Sequence, residues 1–265
     1  MTTDMTETPT IAEALSVSNL TLRYGGVTAL AGVSLVVPRG EIVGLIGPNG
    51  SGKSSLINVV SGAYRGPYQG EVRINGMDVR NMPAHRRAAA GMSRIFQGVR
   101  LFDTLTVEQN ILLGGHIHYA TGYAAGILRT RRAQREMAAQ RERARGIMAL
   151  FGERLLPRAD QQVLSLSYAN RRRVEISRAL MTAPKLLLLD EPMAGMNPHE
   201  TEELTDQLRA LNHAQGMSML LVEHKMSVIG DLCANVYVLN SGTVITQGPV
   251  GMIQQDEKVV EAFLG

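Results

Sequence analysis

The eight residues Gly47-Pro48-Asn49-Gly50-Ser51-Gly52-Lys53-Ser54 constrain this chain more than any other stretch. They fit G-x-x-x-x-G-K-[ST] at every fixed position. A continuous apolar run, Ile42 to Ile46, comes before them, and a segment of helical character, Lys53 to Val60, comes after. Apolar residues without alternation predict a strand buried on both faces. Strand, glycine loop and helix open a βαβ unit. Glycines let the backbone curl so that several N–H groups point inward at a polyphosphate. The helix that follows presents its positive end to the same anion. Lys53 is placed to reach β- and γ-phosphates, and the Ser54 hydroxyl to ligate Mg²⁺. The residues expected to hold nucleotide run from Gly47 through Ser55.

A second element supports the first. Leu186 to Leu189 is a buried strand pattern that ends in two acids, Asp190 and Glu191. A carboxylate at the end of a central strand lies beside the phosphate loop in such sheets. Asp190 is the expected Mg²⁺ ligand, directly or through water. Glu191 is the expected general base for an attacking water.

The remaining pattern predicts an α/β fold. Leu15 to Tyr24 alternates apolar and polar, Gly25-Gly26 punctuates it, and Val33 to Val37 reads as a second short strand. From about Val107 to about Leu156 the pattern is mostly helical, with a loop near Gly122 to Gly126. Helical stretches at Arg171–Thr182 and Glu200–Asn212 then alternate with strands at Lys185–Leu189 and Met217–Val222. A hairpin turned at Ser241-Gly242 follows them. Such alternation implies a mainly parallel sheet covered on both sides.

Composition narrows the function classes. The excess of 27 Lys+Arg over 24 Asp+Glu is +3, too small for a dedicated nucleic-acid binder. Cys233 is the only cysteine, which rules out an intrachain disulfide framework and fits a reducing compartment. It reads as a small buried apolar group. No apolar run approaches the roughly 20 residues that cross a bilayer. The start, through residue 13, is expected to be flexible. Residues 129–145 hold seven arginines and two glutamates, read either as a solvated amphipathic helix or as a docking surface for a partner or lipid headgroups.

Through these residues and several more, the chain resembles the ATP-binding subunits of ABC transporters over nearly its whole length. Tyr24 stands at the family's adenine-stacking aromatic, and Gln97 at the glutamine that links the Mg²⁺ site to a helical subdomain. Ser167-Tyr168-Ala169-Asn170 occupies the signature position, which meets nucleotide held by the other subunit. Ala194 to Asn197 lies where the loop crossing the dimer interface belongs, and His224 where the switch histidine contacts the γ-phosphate. Arg100-Leu101-Phe102, Glu191 to Pro198, Val222 to Met226 and the terminus Glu261 to Gly265 narrow the likeness to LivG-type subunits of branched-chain amino-acid importers. Urea and short-amide importer subunits carry similar motifs.

The resemblance implies a P-loop NTPase core with an antiparallel β subdomain. A single domain over 14–265 then has a helical subdomain, about 98–168, inserted in it. It implies ATP and Mg²⁺ as cofactors, with Ser54, Gln97 and Asp190 at the metal, and Glu191, His224 and Gln97 as catalytic residues. The implied partners are a second ATP-binding subunit, favoured as a different chain with a homodimer as the alternative, transmembrane permease subunits and, indirectly, a solute-binding protein. The implied location is the cytoplasmic face of a bacterial inner membrane. Leu101 and Phe102 are the expected permease-docking groove.

The signature departs from the family pattern, which has glycine at Ala169 and glutamine at Asn170. A methyl at position 169 costs on the order of 1 kcal/mol if the backbone there has positive φ or the gap is tight. That points to a nucleotide binder without turnover as a rival reading, opposed by the intact Glu191 and His224. Lys225, where relatives often carry Asp, is expected to alter the setting of His224. An ATPase acting on nucleic acid is a further rival, opposed by the absence of Trp and by 4% aromatics.

Overall fold

The computed structural model describes residues 12–118 and 130–264. Among them, six strands make one sheet: β3 (Ile42–Ile46), β6 (Met92–Ile95), β7 (Leu186–Asp190), β8 (Ser218–Val222), β9 (Asn235–Asn240) and β10 (Thr243–Gly248). Their order is β10-β9-β3-β8-β7-β6. Every pair is parallel except the hairpin β9–β10. The central strands alternate between two cores. Leu187 and Leu189 face one side of the sheet, and Leu186 and Leu188 face the other. Burial on both faces explains why these strands read as unbroken apolar runs. Each fully buried leucine adds roughly 2 kcal/mol of burial energy.

On one face lies α1 (Lys53–Ser61), whose Leu56, Ile57, Val59 and Val60 are buried. An antiparallel sheet covers it, made of β1 (Glu13–Tyr24), β2 (Val27–Pro38), β4 (Gln69–Ile74) and β5 (Met77–Asp78) in the order β2-β1-β4-β5. The other face carries α3 (Val107–Gly114), α4 (Arg131–Ala149), α5 (Tyr168–Leu180), α6 (Pro198–Gln215) and α7 (Met226–Leu232). Shorter helices are α2 (Ala84–Ala89), α8 (Val250–Ile253) and the terminal α9 (Glu257–Leu264).

Strand β2 is twelve residues, longer than the predicted Val33–Val37. Its first half pairs with the end of β1, from Tyr24↔Val27 to Leu22↔Leu30, through irregular register. Gly32, at φ 65°, interrupts the alternation that would have marked the whole strand. Strands β4, β5 and β6 are further additions to the predicted set. The predicted loop Gly122–Gly126 lies outside the described residues. Helix α4 takes up the described part of the Arg-rich stretch. Gln140, Ala144, Ile147 and Met148 are its buried face, while Arg141 and Arg145 stand exposed near Glu108. Cys233 is buried against Gly44, and burial pushes its thiol up to about 12.

Candidate active site

The phosphate loop joins β3 to α1. Gly47, Gly50 and Gly52 all have positive φ, at 150°, 79° and 108°. A Cβ on Gly47 would lie 2.0 Å from the Leu239 carbonyl oxygen, and one on Gly52 would lie 2.8 Å from that of Ala29. The pattern's glycines are therefore steric requirements of this backbone. Helix α1 starts at Gly52 with no side-chain cap and no acid in its first turn, so its first N–H groups meet no side-chain acceptor there. The Lys53 ammonium donates to the carbonyl oxygens of Gly47 at 2.7 Å and Pro48 at 2.9 Å. Burial lowers its pKa, and the neighbouring Glu191 and Asp190 charges pull the other way.

A cleft of 460 Å³ opens over this loop, lined by Asn49 to Ser55, Gln97 and Glu191. Glu191 follows β7 and adopts φ 48°, a strained setting for a side-chain-bearing residue. Its backbone N–H bonds the Val222 carbonyl at 2.9 Å. Both carboxylate oxygens are engaged. Gln97 Nε2 donates to Oε2 at 2.8 Å, and His224 Nε2 lies 2.9 Å from Oε1. The three predicted catalytic residues thus meet at one carboxylate.

Asp190 is tied elsewhere. Arg94 Nη2 donates to its Oδ2 at 2.9 Å, while Arg94 Nη1 donates to Asn58 Oδ1 at 2.7 Å and Ser61 Oγ at 3.0 Å. This nearly buried pair fastens the end of β7 to α1. The guanidinium also stacks on Phe96, 4.5 Å from its centroid. Burial lowers the Arg94 pKa against the pull of Asp190. Arg94 belongs to the site although no motif of the sequence points to it. The available signal is a charged residue beside Ile95 in a short buried strand, which needs an acid as partner. Glu223, which directly follows β8, is a second buried charge. Its carboxylate accepts from the N–H groups of Met193 and His224.

The signature residues begin α5. The Ser167 hydroxyl accepts from the Asn170 N–H as the helix cap. Ala169 is 1% exposed, packs in the core, and is absent from the side-chain-bearing residues of positive φ. Of the two conditions for a cost at this alanine, positive φ is not met, because position 169 is an ordinary helical residue. Asn170 is buried and accepts from Arg173 at 3.3 Å. Asn197 caps α6 in a reciprocal pair with Glu200. Lys225 reaches away from the site to Thr201 Oγ1, 3.0 Å. Tyr24 is half exposed, edge-on to Tyr64 with centroids 5.5 Å apart, and is not part of the cleft lining. Phe102 is exposed and Leu101 half-buried.

A parallel sheet, a glycine loop at a helix start and a glutamate poised above it define a P-loop ATPase. Residues 19–194 match the family described as ABC transporter. The high-affinity branched-chain amino acid transport ATP-binding protein BraF of Pseudomonas aeruginosa is 37% identical over 254 residues, 95% of this chain and 97% of its own length. LivG of Escherichia coli strain K12, with the same description, is 37% identical over 251 residues, again 95% and 97%. A solved ADP conformation of an ATP-binding cassette of an ABC transporter superposes with a TM-score of 0.81 at 31% identity, covering 96% of this chain and 99% of that one. The chain belongs to the ATP-binding, ATP-hydrolysing subunits of the ABC transporter family.

Proposed function

We propose that this chain energises the import of branched-chain amino acids, hydrolysing ATP at sites it shares with a second, different ATP-binding subunit. The observation that carries the enzymatic part is Glu191, fixed between Gln97 and His224 over the Lys53 loop. The transported solute rests on the likeness to BraF and LivG.

Each residue then has a task. The loop from Gly47 to Ser55 surrounds the β- and γ-phosphates with backbone N–H groups, and α1 adds its positive end. Lys53 exchanges its two carbonyl partners for phosphate oxygens. Glu191 accepts a proton from the water that attacks the γ-phosphorus as the bond to the β-phosphate oxygen breaks. His224 and Gln97 orient that carboxylate, and Tyr24 supports the adenine ring. Ser54, Gln97 and Asp190 offer only oxygen donors of hydroxyl, amide and carboxylate type, a set that suits Mg²⁺. When bound, the metal neutralises charge on the phosphate oxygens.

Ser167, Tyr168, Ala169 and Asn170 serve the site of the partner subunit. Domain 14–265, with a helical subdomain at about 98–168, works as one cassette. Leu101 and Phe102 meet the permease at the cytoplasmic face of the inner membrane. No helix among the described residues is long and apolar enough to cross a membrane, which agrees with a peripheral position.

The test is uptake in cells that lack this chain. Leucine, isoleucine and valine uptake should fall and return with the wild-type chain but not with Glu191→Gln. Loss of urea or short-amide uptake instead would reassign the solute, and rescue by Glu191→Gln would remove the ATPase role.

A further inference from the structure

Helix α5 holds the backbone around Gln97 with three side chains spaced every third residue. Arg172 Nη1 donates to the Phe96 carbonyl at 2.6 Å, and Nη2 donates to the Gln97 carbonyl at 2.6 Å. Glu175 Oε1 accepts from the Arg100 N–H at 3.2 Å, and Arg178 donates to the Arg100 carbonyl. Arg172 and Glu175 pair with each other at 2.7 Å, with side chains 0% and 3% exposed. Arg172 also donates to the Tyr168 hydroxyl, inside the signature turn, at 3.0 Å.

A buried guanidinium fork is rigid and has no water to replace a lost partner. Its geometry therefore fastens the Gln97 segment to α5 along one face. Gln97 is also bonded to Glu191, the residue placed as base in this chain's own site. The first turn of α5 is the signature, placed in the partner's site. The two contributions are one mechanical piece.

We propose that Arg172, with Glu175 and Arg178, is a positioning unit that couples the two composite ATP sites: the backbone of Gln97 cannot shift relative to Glu191 without moving the signature turn. None of the three side chains lines the cleft over the Lys53 loop, and the unit acts through Gln97 and Tyr168. This inference rests on the ATPase reading of Glu191 and the signature. It predicts cooperative hydrolysis in the wild-type complex.

The test uses the complex purified through a tag on this chain, carrying Arg172→Lys or the neutral pair Arg172→Leu/Glu175→Leu. Lysine keeps a charge beside Glu175 but cannot fork to two carbonyls. The pair removes both buried charges together, which preserves folding better than removing one. Binding of a fluorescent ATP analogue should stay within about twofold, kcat should fall about tenfold or more, and the Hill coefficient for ATP should drop toward 1.

Three results overturn the proposal: a wild-type Hill coefficient of 1, unchanged kcat and cooperativity in a folded variant, or nucleotide affinity lost by the same factor as kcat. The neutral pair can fail to fold, in which case Arg172→Lys decides alone. Glu191→Gln is assayed in parallel. If it keeps turning over, the underlying site reading has failed. If it is inactive while the Arg172 variants match wild type, only the coupling has failed.

Discussion

The phosphate loop and the signature turn both place backbone N–H groups at a helix start, yet they are built by opposite means. The loop is set by its backbone. Gly47 and Gly52 leave no room for a methyl, and Leu239 and Ala29 supply the carbonyls that would collide with it. The signature turn is set by side chains. Ser167 caps it, Ala169 anchors it in the core, and Arg172 and Arg173 bind it to the Gln97 segment and to α6. Adding one methyl to a glycine is thus prohibitive at one helix start and is already accommodated at the other. Glycine is demanded by a backbone conformation and its neighbours, and not by proximity to phosphate as such.

The largest expected effect falls on the loop. Gly47→Ala meets both a strained φ and a backbone oxygen at 2.0 Å. It should cost on the order of 2–5 kcal/mol of stability and abolish ATP binding. A urea melt and a nucleotide-binding titration check both. Retained binding would mean that the loop yields as readily as the signature turn, and the contrast would fail.

Next comes the side-chain pair beside the loop. Arg94→Met leaves Asp190 buried without its cation, and should lower stability by about 3 kcal/mol. The double variant Arg94→Met/Asp190→Leu should recover part of that loss, as a shift of the urea midpoint. No recovery would show that Arg94 acts through its bonds to Asn58 and Ser61 instead.

On the signature side, Arg173 is buried, and its guanidinium meets Glu203 at 3.0 Å. Glu203 also bonds Arg154 at 2.6 Å, and these bonds hold its carboxyl below the usual 4.5. A carboxyl depressed in the folded state adds stability above its unfolded pKa, and that stability is lost as pH falls through the folded value. Glu203→Gln should therefore cost about 1–3 kcal/mol at pH 7, with the gap to wild type closing below pH 4.5. A gap that does not change with pH would assign the loss to packing.

The same contrast governs what could be read from the sequence. The loop, the two-acid strand end and the hairpin at Ser241-Gly242 are local, and their patterns lie within a few residues of one another. The pattern shows only the second half of β2, because Gly32 breaks the alternation. The buried arginines were invisible for a different reason. Arg172, Glu175 and Arg178 form a charged stripe that looks solvated in sequence. The segment that covers it, Phe96 to Arg100, lies some 75 residues away in the chain. Arg94 likewise finds Asp190 at a separation of 96 residues. Burial of a charge by a distant segment leaves no local period to detect.

The smallest effect is the sharpest test of the contrast. Ala169→Gly restores the residue usual in the family, so a reading based on motif alone expects it to raise activity. The structure expects otherwise. Position 169 is helical, so glycine there gains no conformational relief and loses about 0.5–1 kcal/mol through backbone entropy. Its methyl is buried in the core, so removal forfeits a further ~1 kcal/mol or less. The melting midpoint should drop slightly, and kcat in the purified complex should change by less than about twofold. A tenfold rise in kcat would mean that the methyl obstructs the partner's nucleotide after all. Both helix starts would then obey the same steric rule.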